Sequence, residues 1–236
     1  GDMAKKAIQT MNEEAKTGKP FFNHWMTVSN HRPFTYPEGK IDIPATIKSR
    51  DGGVKYTDYA LRQFFNNAAK QPWFKNTVFV IVADHCASSS GKTELPMDKY
   101  RIPAMIYAPG FIKPNNNNKL MSQIDLMPTL FGLLNFDYES KFYGQDVLKY
   151  DYKPRAFIAT YQDLGFIKDN VLTIISPVKQ SKQFALKQID NPTLGADFRI
   201  FYEETLMTTK RQDLIKESTA YYQTVSDMLS KKKYEK

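Results

Sequence analysis

The sequence has one cysteine, Cys86, so it holds no internal disulfide framework, and a single thiol says nothing about compartment. Nowhere does an apolar run approach the roughly 20 residues that span a bilayer. The opening Gly1-Asp2-Met3-Ala4-Lys5-Lys6 lacks the apolar centre of a signal peptide. The chain as given is therefore expected to be soluble. Low-complexity sequence is missing apart from the run Asn115 to Asn118, and there is no internal repeat. Also missing is a basic stripe with interleaved aromatics. The net charge of +8 comes in large part from Lys231-Lys232-Lys233 and scattered lysines, which reads as a solvated surface, and no nucleic-acid partner is expected.

What is present suffices for one sizeable core with an appendage: 236 residues, 42% of them hydrophobic and 14% aromatic. Up to about Asn135 the pattern alternates helices and strands. Met3, Ala7, Ile8, Met11 and Ala15 recur at helical spacing over Asp2 to Lys16, and Gly18 and Pro20 stop that helix. Phe21 to Val28 is aromatic and β-branched and predicts a strand that empties into the polar loop Ser29-Asn-His-Arg-Pro33. A second helix spans Asp51 to Gln71, with Tyr56, Tyr59, Ala60 and Phe64 on one face. Thr77 to Ala83 is an unbroken apolar run, as expected of a strand covered on both faces. Ala104 to Ala108 predicts a third strand and Gln123 to Leu134 a helix, with Asp125 near its positive end.

This order predicts an α/β layer with a largely parallel sheet, whose ligands sit in loops beyond the strand C-termini. After about Leu148 the pattern changes to short strands, Phe157 to Tyr161, Gly165 to Lys168 and Val171 to Ile175, the last two joined across Asp169-Asn170. A helix from Leu214 to Lys231 closes the chain. The expected division is therefore 1–148 for the α/β part and 149–236 for a small antiparallel subdomain with its helix.

Two chemistries compete where the apolar run ends. Gly91-Lys92-Thr93 could close a phosphate-binding loop, but Cys86 stands where that loop needs its first glycine, and Pro96 sits in the early turn of the helix it should open. Asp84-His85 instead offers a carboxylate oxygen and an imidazole nitrogen at a strand end, a pairing that suits Zn²⁺ or Mn²⁺. From spacing alone, a loop-capping Asp84 and an ordinary strand-end His85 stay open beside the metal reading. His31 and Arg32 place a titratable donor and a permanent cation past another predicted strand, which favours an anion or metal site. His24, mid-strand between Asn23 and Trp25, reads as a packed or hydrogen-bonded histidine.

Several stretches, in order, carry a resemblance: Thr27-Val-Ser-Asn-His-Arg-Pro-Phe34, Lys55-Tyr-Thr-Asp-Tyr-Ala60, Ala83-Asp-His85, Ile102-Pro-Ala-Met-Ile-Tyr-Ala-Pro-Gly110, Gln123-Ile-Asp-Leu-Met-Pro-Thr129 and Tyr143-Gly-Gln-Asp-Val147. Together they resemble the second half of the sulfatase-like domain of bacterial lipoteichoic acid synthases, in the alkaline phosphatase superfamily. The resemblance implies an alkaline phosphatase-like α/β sandwich, incomplete on its N-terminal side. It makes Asp84 and His85 ligands of a divalent cation, Mn²⁺ first and Ca²⁺, Mg²⁺ or Zn²⁺ as alternatives, and makes His31, with Arg32, a contact for substrate oxyanions.

The family's threonine nucleophile and a further acidic metal ligand have no match here, so they are expected upstream, in a missing N-terminal half of the same domain. The Cys/Ser-x-Pro-x-Arg signature of true sulfatases is also unmatched. Cys86 departs from the pattern, standing where a glycine usually follows Asp-His. The implied activity is two-step transfer on phosphoric or sulfuric esters, with phosphoglycerol transfer from an anionic phospholipid preferred over sulfate-ester hydrolysis. A noncatalytic anion-binding module on the same fold is the reading from a different class. The implied location is the bacterial cell membrane, with the catalytic domain outside it, and this chain alone is expected to be catalytically silent.

Overall fold

The computed structural model describes residues 1–86, 95–178, 180–189 and 201–234. The Gly91-Lys92-Thr93 stretch lies outside the described residues. By contact density the chain divides into a unit of residues 1–79 with 107–114 and a unit of residues 80–106 with 115–236.

In the first unit, α1 (Asp2–Ala15) and α2 (Arg50–Ala68) pack together. Ala4 and Met11 of α1 meet Phe64 and Ala68 of α2 together with Trp73 and Phe79. The Ser49 side chain caps α2 by accepting the Gly52 N–H at 3.1 Å. Phe21 to Val28 departs from expectation, because it joins no sheet among the described residues. Its aromatic rings pack edge-on to the helical layer instead, Phe21 on Trp73 and Trp25 on Phe64. Alternation along this segment turns Phe21, Asn23 and Trp25 inward and leaves Phe22, His24 and Met26 exposed. His24 is thus a surface residue rather than a packed one.

Strands β1 (Phe79–Val82) and β2 (Ala104–Tyr107) form a two-stranded sheet. The Phe79 ring lies against Tyr107 at one end, and the Ala83 N–H donates to the Pro103 carbonyl at 3.3 Å at the other. Ends matched in this way belong to an antiparallel pair. The parallel sheet expected from the alternating pattern is not seen among the described residues. Nor is β1 covered on both faces, since only Phe79 of its four residues is buried.

The second unit holds a five-stranded antiparallel sheet in simple sequence order, β3 (Ala156–Ala159), β4 (Leu164–Lys168), β5 (Val171–Ser176), β6 (Gln180–Ile189) and β7 (Phe201–Leu206). Asp169 and Asn170, both at positive φ, make the tight turn between β4 and β5 that their side chains favour. One set of side chains, Ile167, Leu172, Ile174 and Leu186, packs with Leu95 and Met97. The alternate set, Phe166 and Val171, packs with Leu214 of α4 (Gln212–Ser230), and Tyr221 joins them. The fully buried Gln183 tethers the start of that helix, donating to the Arg211 carbonyl at 3.1 Å and accepting its N–H at 2.6 Å.

Ahead of this sheet, a short 3₁₀ turn over Gln123–Asp125 runs into α3 (Leu126–Leu133). Ser122 and Asp125 form a capping box around the turn. Asp125 does more than answer the helix dipole. Its fully buried carboxylate takes both terminal nitrogens of Arg155, at 2.7 and 2.9 Å, and the backbone N–H groups of Ser122 and Gln145 at 2.9 and 2.7 Å. Thr129 accepts the Val147 N–H at 3.1 Å, so Gln123-Ile-Asp-Leu-Met-Pro-Thr129 and Tyr143-Gly-Gln-Asp-Val147 are held against each other. A glycine is required at 144 because a Cβ there would run into the Ile124 carbonyl. No helix among the described residues is long and apolar enough to cross a membrane.

Candidate functional site

The backbone leaves β1 at Val82, and Asp84 and His85 follow in a bend. Their side chains are 73% and 66% exposed. The Asp84 carboxylate accepts the His85 backbone N–H on Oδ1 at 2.9 Å, and its Oδ2 lies 3.4 Å from His85 Nε2. His85 Nδ1 sits 2.8 Å from the Cys86 carbonyl. A carbonyl can only accept, so Nδ1 carries a proton, and in the neutral ring Nε2 holds the lone pair. Sequence proximity alone does not require this arrangement. The structure turns a carboxylate oxygen and the imidazole Nε2 toward one another on an open surface.

That pair fits a divalent cation as part of a ligand set. Two donors about 2.1 Å from one ion and about 110° apart are separated by about 3.4 Å. The carbonyl that holds Nδ1 also fixes the ring, as outer partners of metal-bound histidines do. Among the described residues no third His, Cys, Asp or Glu joins them in a cluster.

The same loop is pinned from its sides. The Cys86 thiol donates to the Arg101 carbonyl at 2.8 Å. Burial pushes the Cys86 thiol up, which keeps it protonated and able to donate. Cysteine at this position therefore ties the loop to the residues before β2. On the other side, the Gln123 amide donates to the Ala83 carbonyl at 2.9 Å. Sequence reading missed Gln123, Arg101 and Arg155. The one available signal was Asp125, an acid in an otherwise apolar helix start that required a cation somewhere.

His31 and Arg32 belong to the first unit, in a turn where the His31 N–H donates to the Val28 carbonyl at 3.0 Å and the Phe34 N–H to the His31 carbonyl at 2.7 Å. His31 Nδ1 lies 2.9 Å from the Arg32 carbonyl, the same arrangement as His85 with Cys86, and again leaves Nε2 as the available ring atom. Both side chains are exposed. The Arg32–Pro33 bond is cis. Phe34 is buried beneath the turn, with the Arg50 guanidinium 5.1 Å above its ring. Gly53, in the first turns of α2, comes so close that an added Cβ would lie 2.5 Å from the Ser29 carbonyl oxygen. The structure thus brings together Asp84 with His85, and His31 with Arg32.

The chain is 28% identical to lipoteichoic acid synthase 2 of Bacillus subtilis (strain 168), over 57% of this chain and 24% of the synthase. It is 30% identical to lipoteichoic acid synthase of Staphylococcus aureus (strain USA300), over 53% of this chain and 22% of that protein. It therefore spans less than a quarter of either synthase. A solved structure from Vibrio parahaemolyticus, described as a protein in the alkaline phosphatase superfamily, superposes with a TM-score of 0.86 at 28% identity, over 98% of this chain and 54% of that one. The fold is thus the mixed α/β fold of the alkaline phosphatase superfamily. The profile of the Sulfatase family matches residues 1–136, more than half of the sequence, and the chain belongs to that family.

Proposed function

We propose that this chain contributes part of the catalytic domain of a metal-dependent transferase of the lipoteichoic acid synthase type, moving phosphoglycerol from an anionic phospholipid. The observation that carries the reading is the Asp84 and His85 pair, a carboxylate oxygen and an imidazole nitrogen 3.4 Å apart and open to solvent in a Sulfatase-family chain. In it Asp84 Oδ2 and His85 Nε2 would hold the divalent cation, with Mn²⁺ the first expectation and Ca²⁺, Mg²⁺ or Zn²⁺ alternatives. Such an ion, when bound, supplies Lewis-acid stabilisation of phosphoryl oxygens and lowers the pKa of a bound hydroxyl.

His31 Nε2 and the Arg32 guanidinium contact the substrate's anionic oxygens. Arg32 supplies a fixed charge with paired donors, and the His31 ring, where Nε2 also carries a proton, supplies a single donor. The nucleophile and the remaining metal ligand come from a segment outside these residues, so the 236-residue chain is expected to be silent on its own. The whole protein works at the outer face of a bacterial cell membrane, where its lipid substrate lies, and takes no nucleic acid.

A second reading, hydrolysis of sulfuric esters, is favoured by the Sulfatase profile itself over residues 1–136. The deciding experiment assays the longest reading frame carrying this sequence, and the 236-residue chain beside it, with a phosphatidylglycerol analogue, an aryl phosphodiester and an aryl sulfate in excess Mn²⁺. Phosphodiester turnover by the longer protein, abolished by Asp84→Ala, is the expected result. Preference for the aryl sulfate would replace the transferase with a sulfatase. A folded longer protein that binds anions but turns over none of the three would be a noncatalytic module.

A further inference from the structure

We propose that Gln123 is a positioning residue for the Asp84 and His85 pair, holding the peptide unit that joins Ala83 to Asp84. The proposal rests on the metal reading above and adds to it a residue outside the ligand set.

The geometry is specific. Gln123 Nε2 donates to the Ala83 carbonyl at 2.9 Å, and only the amide nitrogen of that side chain can do so. The carbonyl of Ala83 and the nitrogen of Asp84 belong to one rigid planar group, so fixing the oxygen fixes the plane from which Asp84 departs. The N–H of Ala83 is meanwhile held by Pro103 at 3.3 Å, the last rung beside β2. Residue 83 is thus gripped from the sheet on one side and from the 3₁₀ turn on the other. Asp84 and His85 follow without a break and orient one another.

The turn that delivers Gln123 is itself immobilised. Ser122 and Asp125 close the capping box on either side of it, and Asp125 is clamped by Arg155 in the buried ion pair. Gln123 is exposed, so its side chain contributes little to any core. A surface amide spanning 40 residues of sequence to reach a backbone carbonyl one residue before the paired donors is better placed to orient them than to stabilise the fold. Outer partners of this kind set metal affinity by fixing where the ligands stand, and their loss costs about 10–100-fold.

The test compares the wild-type chain with Gln123→Met, similar in length but unable to donate, and with Asp84→Ala. Mn²⁺ affinity is read from the EPR signal of the free ion, fold stability from the thermal midpoint, and loop order from hydrogen exchange at the His85 amide. Gln123→Met is expected to weaken Mn²⁺ binding about tenfold while the thermal midpoint moves by no more than about 2 °C. Wild-type affinity in Gln123→Met would overturn the proposal. If the wild-type chain binds no Mn²⁺, Asp84 and His85 do not hold the ion without the remaining ligand; if Asp84→Ala binds it equally well, the metal reading fails; in either case hydrogen exchange alone decides the positioning. Exchange at His85 about tenfold faster in Gln123→Met would then uphold it, and unchanged exchange would overturn it.

Discussion

Strands β3 to β7 bury Phe166 and Leu172 completely, whereas β1 and β2 leave Val82 37% and Met105 55% exposed. Composition does not explain the difference, because the larger sheet includes the polar strand β6 while β1 and β2 are apolar. Coverage does. The larger sheet has α4 against Phe166 and Val171 and a second cluster around Leu172, and its strands follow one another in register from Ala156 to Leu206. The smaller sheet is two strands of four residues. The same contrast recurs in two aspartates. Asp125 is sealed between Arg155 and backbone N–H groups, while Asp84 stands in solvent beside His85. One region spends its polar groups on holding shape, and the other leaves them available for a ligand.

The largest test of this contrast sets Arg155→Met against Asp84→Ala. Removing Arg155 strands a buried carboxylate and is expected to cost about 3–5 kcal/mol. Asp84→Ala, at an exposed position, is expected to shift stability by less than about 0.5 kcal/mol. Urea unfolding of the two variants measures both, and equal losses would end the comparison. Next in size is a pair of truncations. Leu172→Ala, at a site of zero exposure, should cost about 2–5 kcal/mol, and Val82→Ala less than about 1 kcal/mol, by the same measurement.

A smaller effect concerns Tyr152, whose hydroxyl donates to the Leu120 carbonyl at 2.7 Å and reaches Asp125 at 3.3 Å. Burial, and then the Asp125 charge, push its phenol up to about 12. The unfolded phenol titrates near its ordinary value of about 10, so the folded state binds the proton more tightly. That stability is present below about pH 10 and is lost as pH rises toward about 12. Thermal midpoints between pH 8 and 11 should fall less steeply in Tyr152→Phe, and identical slopes would remove Tyr152 from the network.

The smallest effect lies on the surface. Arg211 hydrogen-bonds Asp213 and holds its carboxyl down at about 2. A depressed carboxylate stabilises above its unfolded pKa, about 3.9, and that contribution disappears as pH falls through about 2. Asp213→Asn should flatten the acid limb of the stability curve slightly, and salt should do the same to the wild type.

Much of the architecture is legible in the residues, and the exceptions have causes. The helices at Asp2–Ala15, Arg50–Ala68 and Gln212–Ser230 follow from apolar spacing, and the β4–β5 hairpin from Asp169-Asn170. Phe21 to Val28 misleads because its aromatics satisfy helix packing rather than a ladder, which intrinsic β preference does not distinguish. Strands β6 and β7 are hidden by polar residues, since Gln180-Ser-Lys-Gln-Phe-Ala-Leu-Lys-Gln-Ile189 carries few apolar side chains and gains its order from pairing with β5 and β7. At the site, the adjacency of Asp84 and His85 is visible in sequence, but the ring tautomer depends on a carbonyl that only the fold aims. Gln123 is invisible for a simpler reason: the bond it makes is long-range and ends on backbone, which carries no residue signature.

Gly53 has a consequence for redesign. Replacing a glycine inside a helix with alanine ordinarily gains about 0.5–1 kcal/mol, and α2 offers two adjacent candidates in Gly52 and Gly53. A stabilising library would select both. At Gly52, however, the new methyl would run into the buried Tyr36 hydroxyl, and at Gly53 it would meet the Ser29 carbonyl oxygen at 2.5 Å, so that the turn bearing His31 would have to move aside. Automated thermostabilisation would thus trade helix strength against the placement of the turn bearing His31, and residue 53 belongs among the positions frozen before any such search begins.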